Sequence, residues 1–404
     1  MINTWVCAAL GARLAFWRGS SPQGRVHAMM LYIHVPFCRS KCRYCAFFSE
    51  PLGNGGGERI RSYLDGLLAE LVHSCAESRG EPVTSVFFGG GTPSLLSALD
   101  LSSLLESIGR HFALTEDAEI SIEGNPESLL RPGFMKDLAV AGFNRLSVGV
   151  QSLDEGMLRM LGRIHSAEDA VRTLDAARSA GFENVSVDLM WGLPGQTLKG
   201  WLGQIDAAAA LEPSHISAYG LTLEPGTPLA EAESRGHVSL PPEEILAAMY
   251  LEGAARMEEL GFRHYEISNF ARPGCMCRHN CGYWKGEEYL GLGPAAVSTR
   301  KGVRWANPPG LEAWLEVARG RARPEREELD QRRLEEERLM LGLRTADGAA
   351  MCGEAWELPQ VKAFLHELES SGLALISAGR LRLTAKGMLL SNEVLATLMD
   401  LIFP

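Results

Sequence analysis

The stretch Leu31–Phe48, LYIHVPFCRSKCRYCAFF, decides how the rest of the chain is read. A short apolar run ends at Pro36 and opens into Cys38, Cys42 and Cys45, spaced C-x3-C-x2-C. Three thiolates so close together can wrap one small inorganic centre, and soft sulfur selects zinc or an iron–sulfur cluster over hard cations. A structural zinc site closes with four ligands, whereas three protein ligands leave one position open for chemistry. Ala46, Phe47 and Phe48 follow Cys45 directly, so no fourth Cys or His stands close by, and an open-site centre results. A zinc knuckle with a distant fourth ligand, or three packed core thiols, fits less well. Core cysteines need no such spacing, and Arg39, Lys41 and Arg43 between the thiols suit an anionic centre better than a packed interior.

Beyond this loop, short β-type runs at Val86–Phe88, Glu119–Ile122, Arg145–Val150, Val185–Leu189 and Ile216–Leu221 alternate with helical periods. Those periods cover Glu58–Cys75, Leu129–Ala141, Ala167–Ala180 and Leu198–Ala210, and Pro51–Gly57 reads as a flexible connector. Strand and helix alternating in this way predict a parallel sheet with crossover helices. The unusual residues follow the strands: the cysteines after the first, Gly89–Ser94 after the second, Glu123–Pro126 after the third, Gln151 after the fourth. Carboxyl ends form the catalytic rim of a parallel barrel, so the predicted fold is α/β, an open (βα)6 version of the TIM barrel. A flat doubly wound sheet is disfavoured, because no G-x-G-x-x-G opens a helix after the first strand. The Gly89–Ser94 loop would let backbone approach a ligand closely, since glycine has no Cβ.

The chain has 404 residues, 46% hydrophobic and 22% charged, enough for two or three domains around a large core. A net charge of -11 argues against nucleic acid or an anionic membrane as the main partner. Nine cysteines, three in a tight cluster, fit a reducing compartment, and the cytoplasm is the expected location. Trp5–Trp17 is apolar but interrupted by Arg13 and is shorter than the ~20 residues a membrane span needs. Residues 1–29 read as an extension, with the natural start expected at Met29-Met30. Residues 30–235 form the barrel and 236–320 an extension of it, with a long helix over Pro241–Leu260, a strand over Tyr265–Phe270 and a loop over Arg272–Trp284. Residues 306–327 are a boundary rich in Pro, Gly and Arg. Residues 328–404 then read as a winged-helix-like module with helices Leu329–Arg344 and Leu358–Ser371, a hairpin turning at Ala378-Gly379, and a last helix to about Asp400. Glu367 and Glu369 against Lys362 give its middle helix the wrong sign for phosphate contacts, so a structural or protein-contact role is expected. Cys275 and Cys281 near Cys277 read as chance neighbours, and Cys7, Cys75 and Cys352 as buried hydrophobes.

The cysteine triplet, with Tyr44 just before its last member and Phe47 two after it, resembles the radical S-adenosylmethionine superfamily. The resemblance implies a 4Fe-4S cluster on Cys38, Cys42 and Cys45 whose open iron chelates S-adenosylmethionine. It further implies that Gly90, Gly91 and Thr92 grip the methionine end, and that Tyr32, Glu123, Gln151, Arg163 and Asp188 complete the cofactor site. Those residues match one branch, the oxygen-independent coproporphyrinogen III oxidases and their sister group, the heme chaperones. The likeness runs from Leu31 through VDLMWGLPGQ (Val187–Gln196) and YGLTLEPGTP (Tyr219–Pro228) to the C-terminal module. Two features divide the sisters: the oxidases carry another cysteine where this chain has Phe47, and His279-Asn280-Cys281-Gly282-Tyr283-Trp284 matches the H-N-x-x-Y-W motif of the chaperones. The resemblance therefore implies a heme carrier without coproporphyrinogen oxidase activity, the oxidase being the alternative. His279 would offer an imidazole to heme, with Asn280, Tyr283 and Trp284 around it. An acceptor protein of the respiratory chain, an electron donor such as flavodoxin, and a homodimer belong to the same expectation, with neither nucleic acid nor an integral membrane segment.

Overall fold

The computed structural model describes residues 28–403 apart from Asn54 and Arg79, so the expectations for the residues before 28, Cys7 included, lie outside the described residues. Six parallel strands stand side by side in chain order: β1 (Met29–Val35), β2 (Pro82–Gly90), β3 (Ala113–Gly124), β4 (Arg145–Gln151), β5 (Asn184–Trp191) and β6 (His215–Gly220). Period-two alternation within them makes two unlike faces. Leu31, Ile33, Val35, Phe88, Ile122, Leu146, Val148, Val187 and Leu189 belong to one large apolar core shared with the crossover helices. Each such side chain contributes roughly 1.5–3 kcal/mol when fully buried. The residues between them are of another kind: Tyr32 and His34, Ser121 and Glu123, Arg145 and Ser147, Ser186 and Asp188, His215 and Ser217. A sheet with one face under helices and the other lined by such groups encloses a polar interior, the partial barrel that the strand order predicts.

The crossover helices begin where the sequence supplies caps. Ser97 with Asp100 and Ser166 with Asp169 form capping boxes at the starts of Ala98–His111 and Ala167–Ser179. The predicted helix over 129–141 is two pieces, Pro126–Leu129 and Phe134–Ala141, because Arg131-Pro132-Gly133 intervenes and Gly133 adopts a left-handed backbone at φ 76°. The expected connector 51–57 is shorter than predicted: Glu50–Pro51 pairs in parallel with Phe37–Cys38, and a helix runs from Gly56 to Ser78.

The extension lengthens the sheet at both ends. Beyond β1 lie the parallel strand Tyr289–Leu292 and the antiparallel strands Val297–Arg300, Val303–Ala306 and Arg326–Glu328. Beyond β6 lie Asn269–Ala271 and Arg263–Glu266. The single strand expected over 265–270 is thus a hairpin of two, and the expected boundary at 306–327 contains the helix Leu311–Ala318. A second core gathers the helices Gln331–Gly342, Pro359–Ser370 and Ser391–Ile402 around a three-stranded sheet of Ala349–Ala350, Arg380–Leu383 and Ala374–Ser377. Its hairpin turns at Ala378-Gly379, both with positive φ (50° and 70°), the geometry that suits a tight two-residue turn. Tyr250 of the barrel joins this second core. Backbone bonds from Ile267 to the Arg344 carbonyl and from Ala346 to the Tyr265 carbonyl, with a bridge between Glu266 and Thr345, tie the module to strand Arg263–Glu266. Among the described residues no helix is long and apolar enough to cross a membrane. Cys352 is exposed, which corrects the expectation that it is buried, while Cys75 is half-buried and packs against the main core.

Candidate cofactor site at the barrel rim

The cysteine loop leaves the carboxyl end of β1 and is fixed by its backbone. Glu50 N–H donates to the Pro36 carbonyl (2.7 Å) and Leu52 N–H to the Cys38 carbonyl (3.0 Å), closing the loop on itself. Arg43 is held from both sides, its N–H on Leu161 (3.0 Å) and its carbonyl under Leu229 N–H (2.9 Å). Tyr44 packs on Leu161, Met190 and Leu193. Among the described residues no three His, Cys, Asp or Glu side chains converge into a ready-made single-metal group. Burial pushes the Cys45 thiol up, and the neighbouring Cys42 and Cys38 push it the same way, so the three sulfurs lie within electrostatic reach of one another.

The glycine-rich end of β2 is laced to this loop. Gly91 N–H donates to the Val35 carbonyl (2.8 Å) and Thr92 N–H to the Phe37 carbonyl (2.7 Å). A Cβ on residue 91 would stand 2.6 Å from the Phe37 oxygen, so only glycine allows the approach. Gly90 has φ 109°, and a Cβ there would meet the His34 ring at 2.7 Å. The Thr92 hydroxyl points at Cys38 Sγ (3.6 Å) and accepts from Asn125 Nδ2 (3.2 Å).

Arg163 arrives from the far side, after helix Glu155–Leu161. Its Nη1 points at Cys42 Sγ (3.3 Å), while Nη2 donates to Asn125 Oδ1 (2.5 Å) and the Gly149 carbonyl (2.7 Å). Its buried Nε has no partner. An orphaned donor beside a thiol suits an anionic group, which is the charge of a thiolate-bound cluster or a ligand carboxylate.

Glu123 and Asp188 form the acidic wall inside the rim. Glu123 Oε2 accepts from Gly90 N–H (3.3 Å), and burial, then the Asp188 charge, push its carboxyl up to about 8. Burial likewise raises Asp188, against hydrogen bonds from Ser217, Ser147 (3.0 Å) and Ser186 (3.1 Å). Tyr32 O–H donates to His34 Nδ1 (3.1 Å), and His34 Nε2–H donates to the Phe48 carbonyl (3.0 Å). Gln151 ends β4 with a left-handed backbone, φ 65°. The structure therefore brings Cys38, Cys42, Gly90, Gly91, Thr92, Arg163 and Glu123 into one bonded network, with Tyr32 and Asp188 as electrostatic neighbours of Glu123. His34 and the bridging role of Asn125 escaped sequence reasoning. For His34 the signal was the alternation Tyr32-x-His34, opposite in face to the apolar Leu31, Ile33 and Val35.

The H-N-x-x-Y-W segment borders the same interior, with the His279 ring 6.4 Å from that of Tyr32. Residues Arg278–Trp284 form a helix where a loop was expected, and Glu119 fixes its start by accepting from Arg278 N–H (3.0 Å) and His279 N–H (3.1 Å). His279 is 1% exposed; its Nδ1 shares a hydrogen bond with Ser85 (2.8 Å) and its Nε2 one with Tyr283 (3.2 Å). Burial drives its pKa down to about 3. Both ring nitrogens are engaged inside the barrel, so offering the imidazole to heme would mean releasing Ser85 or Tyr283. Trp284 is buried, Tyr283 packs edge-on against Tyr289, and Asn280 is half-buried. Cys277 is buried and donates to Glu119 (3.5 Å), so this cysteine is part of the same plug.

A model of the radical SAM superfamily matches residues 32–203. The protein named heme chaperone HemW from Mycobacterium tuberculosis is 38% identical over 373 residues, 91% of this chain and 94% of that one. The chain belongs to the HemW family. The HemW of Bacillus subtilis is 36% identical over 90% of this chain and 97% of its own. A solved relative of this chain is the radical SAM enzyme coproporphyrinogen III oxidase (HemN) of Escherichia coli. It is 25% identical with a TM-score of 0.78, covering 93% of this chain and 91% of that one. The fold is therefore the radical SAM partial barrel with a C-terminal module, and the superfamily implies a 4Fe-4S cluster and S-adenosylmethionine.

Proposed function

We propose that the protein is a cytoplasmic heme chaperone that binds heme and hands it to an acceptor protein. The observation that carries this reading is the identity to HemW proteins over nine-tenths of the chain. In it, Cys38, Cys42 and Cys45 hold the cluster, and Tyr32, Gly90, Gly91, Thr92, Glu123, Gln151, Arg163 and Asp188 hold S-adenosylmethionine. When bound, the cluster and S-adenosylmethionine supply one-electron chemistry at the sulfonium. The chain's own residues do the positioning: Thr92 and Arg163 aim at two of the thiols, and Glu123 and Asp188 present carboxyls to a cationic ligand. His279, Asn280, Tyr283 and Trp284 act in this reading as the floor of the barrel. A respiratory acceptor, a flavodoxin-type donor and a homodimer remain part of the proposal.

A second reading, oxidative decarboxylation of coproporphyrinogen III, is favoured by the likeness to HemN and opposed by Phe47, 47% exposed where a further cysteine would stand. Anaerobic reconstitution, reduction and addition of S-adenosylmethionine, with heme and coproporphyrinogen III offered separately, decides between them. Tight heme uptake without protoporphyrinogen IX is the expected result; turnover of coproporphyrinogen overturns it.

A further inference from the structure

Outside the barrel, the cysteine loop borders a cleft of about 420 Å³ lined by Arg39, Leu52, Leu95, Ser128 and Arg131 among others. The volume is in the range that accepts part of a drug-sized ligand. Arg131 is fixed in place: Nε donates to the Ser128 carbonyl (2.9 Å), Nη2 to those of Ser94 (2.5 Å) and Leu96 (2.8 Å), and the guanidinium lies 3.8 Å over the Phe134 ring. Among the described residues its Nη1 donates to no acceptor. Arg39, directly after Cys38, is exposed and has no hydrogen bond or ion pair among the described residues. Burial and the Arg39 charge both hold Arg131 below its ordinary value. Glu50, at the end of the cysteine loop, is paired with Arg59.

Two guanidiniums lining one cleft, neither in an ion pair among the described residues and both flanked by half-buried leucines, define a ligand type. It carries two carboxylates on one edge and an apolar body behind them. Arginine suits carboxylate through its planar fork. We propose that the cleft between Arg39 and Arg131 receives the propionate edge of heme, with the macrocycle edge against Leu52 and Leu95. This rests on the heme-binding reading and gives it a location on the outer side of the cysteine loop. An acidic protein surface would also answer two arginines, but a concave, leucine-walled cleft favours a small amphipathic ligand.

Arg131 carries three backbone carbonyls, so its replacement endangers the fold; the test uses Arg39 and the ligand instead. Full-length protein and Arg39→Glu are titrated with heme and with heme dimethyl ester, followed at the Soret band. The variant is expected to bind heme about ten- to a hundredfold more weakly, as loss of a charge-assisted bond allows. The wild type should lose a similar factor toward the ester, and Arg39→Glu should leave ester binding unchanged, because the group it answers has been removed. Equal affinity of wild type for heme and ester overturns the proposal, as does an Arg39→Glu loss that is the same for both ligands. An unchanged heme affinity with weakened reduction by an acidic electron-transfer protein also overturns it, and assigns the cleft to protein docking. If the wild type takes up no heme, the function itself fails, and this is distinguishable from failure of the cleft alone.

Discussion

Replacing Arg163 by lysine keeps the charge and removes the fork. In the structure one guanidinium serves three groups: Cys42 Sγ at 3.3 Å, Asn125 Oδ1 at 2.5 Å and the Gly149 carbonyl at 2.7 Å. An ammonium is a point donor and serves one of the two oxygens well, so at least one charge-assisted bond and the contact to Cys42 are lost. Such bonds are worth about 1.5–3 kcal/mol each. Arg163 is only half-buried and the released acceptors regain some water, so the net cost is placed at about 1–3 kcal/mol, roughly a 5- to 150-fold shift in the unfolding constant. The consequence for the site should be larger than for the fold, because Arg163 couples the cysteine loop to β4. Urea unfolding of the apoprotein measures the first effect, and iron per chain after anaerobic reconstitution measures the second. Arg163→Met, which keeps the stem without the charge, should lose more of both. An Arg163→Lys protein with wild-type midpoint and full iron content would refute the argument that this bridge sets the position of Cys42.

Three further outcomes are expected. Gly91→Ala drives a Cβ to within 2.6 Å of the Phe37 carbonyl and breaks the lacing of the glycine loop to the cysteine loop; a loss of about 1–3 kcal/mol in urea unfolding and a fall in iron retention should follow. His279→Ala leaves Ser85 and Tyr283 without their partner in the barrel floor, so the urea midpoint should fall while heme bound per chain stays unchanged; loss of heme without loss of stability would restore His279 as a heme ligand. Glu123, raised from 4.5 to about 8 by burial, keeps a proton in the folded state that the unfolded chain releases. Its contribution to stability is therefore full below pH 4.5 and is lost as pH rises toward 8, a dependence that Glu123→Gln should flatten in that window. A cationic ligand beside it favours the carboxylate, so S-adenosylmethionine binding should release protons near pH 7, measurable by calorimetry in buffers of different ionisation enthalpy.

The parallel strands and the rim were legible because both rest on local patterns: apolar runs of β type, and glycine, cysteine and acidic residues directly after them. The extensions of the sheet were not, since strands of three or four residues such as Arg326–Glu328 have no periodicity to read and form only because an edge is already present. The break at Arg131-Pro132-Gly133 was written in its punctuation, yet the apolar period on both sides masked it. The helix Arg278–Trp284 was hidden by its composition, His, Asn, Cys and Gly being weak helix formers; it is held by the distant carboxylate of Glu119, which no local reading supplies. Of the candidate site, Cys38, Cys42 and Cys45 came from spacing, and the glycines from their place after the second strand together with the family resemblance. Asn125 as the bridge between Thr92 and Arg163 came only with the coordinates, because a hydrogen bond between two loops leaves no trace in either one.

Among the described residues the long sheet ends in two outer strands, and each edge is blunted in a different way. On one, the last strand is Arg326-Glu327-Glu328, only three residues long and fully charged, which offers a further strand little to pair with. On the other, strand Arg263–Glu266 lends its outward backbone groups to Thr345 and Ala346 of the C-terminal module. The module thus covers this β edge of the barrel, whatever partner it meets. A chain ending before residue 330 would keep every residue of the cofactor rim and still be expected to aggregate, because it would present an unprotected β edge to its neighbours.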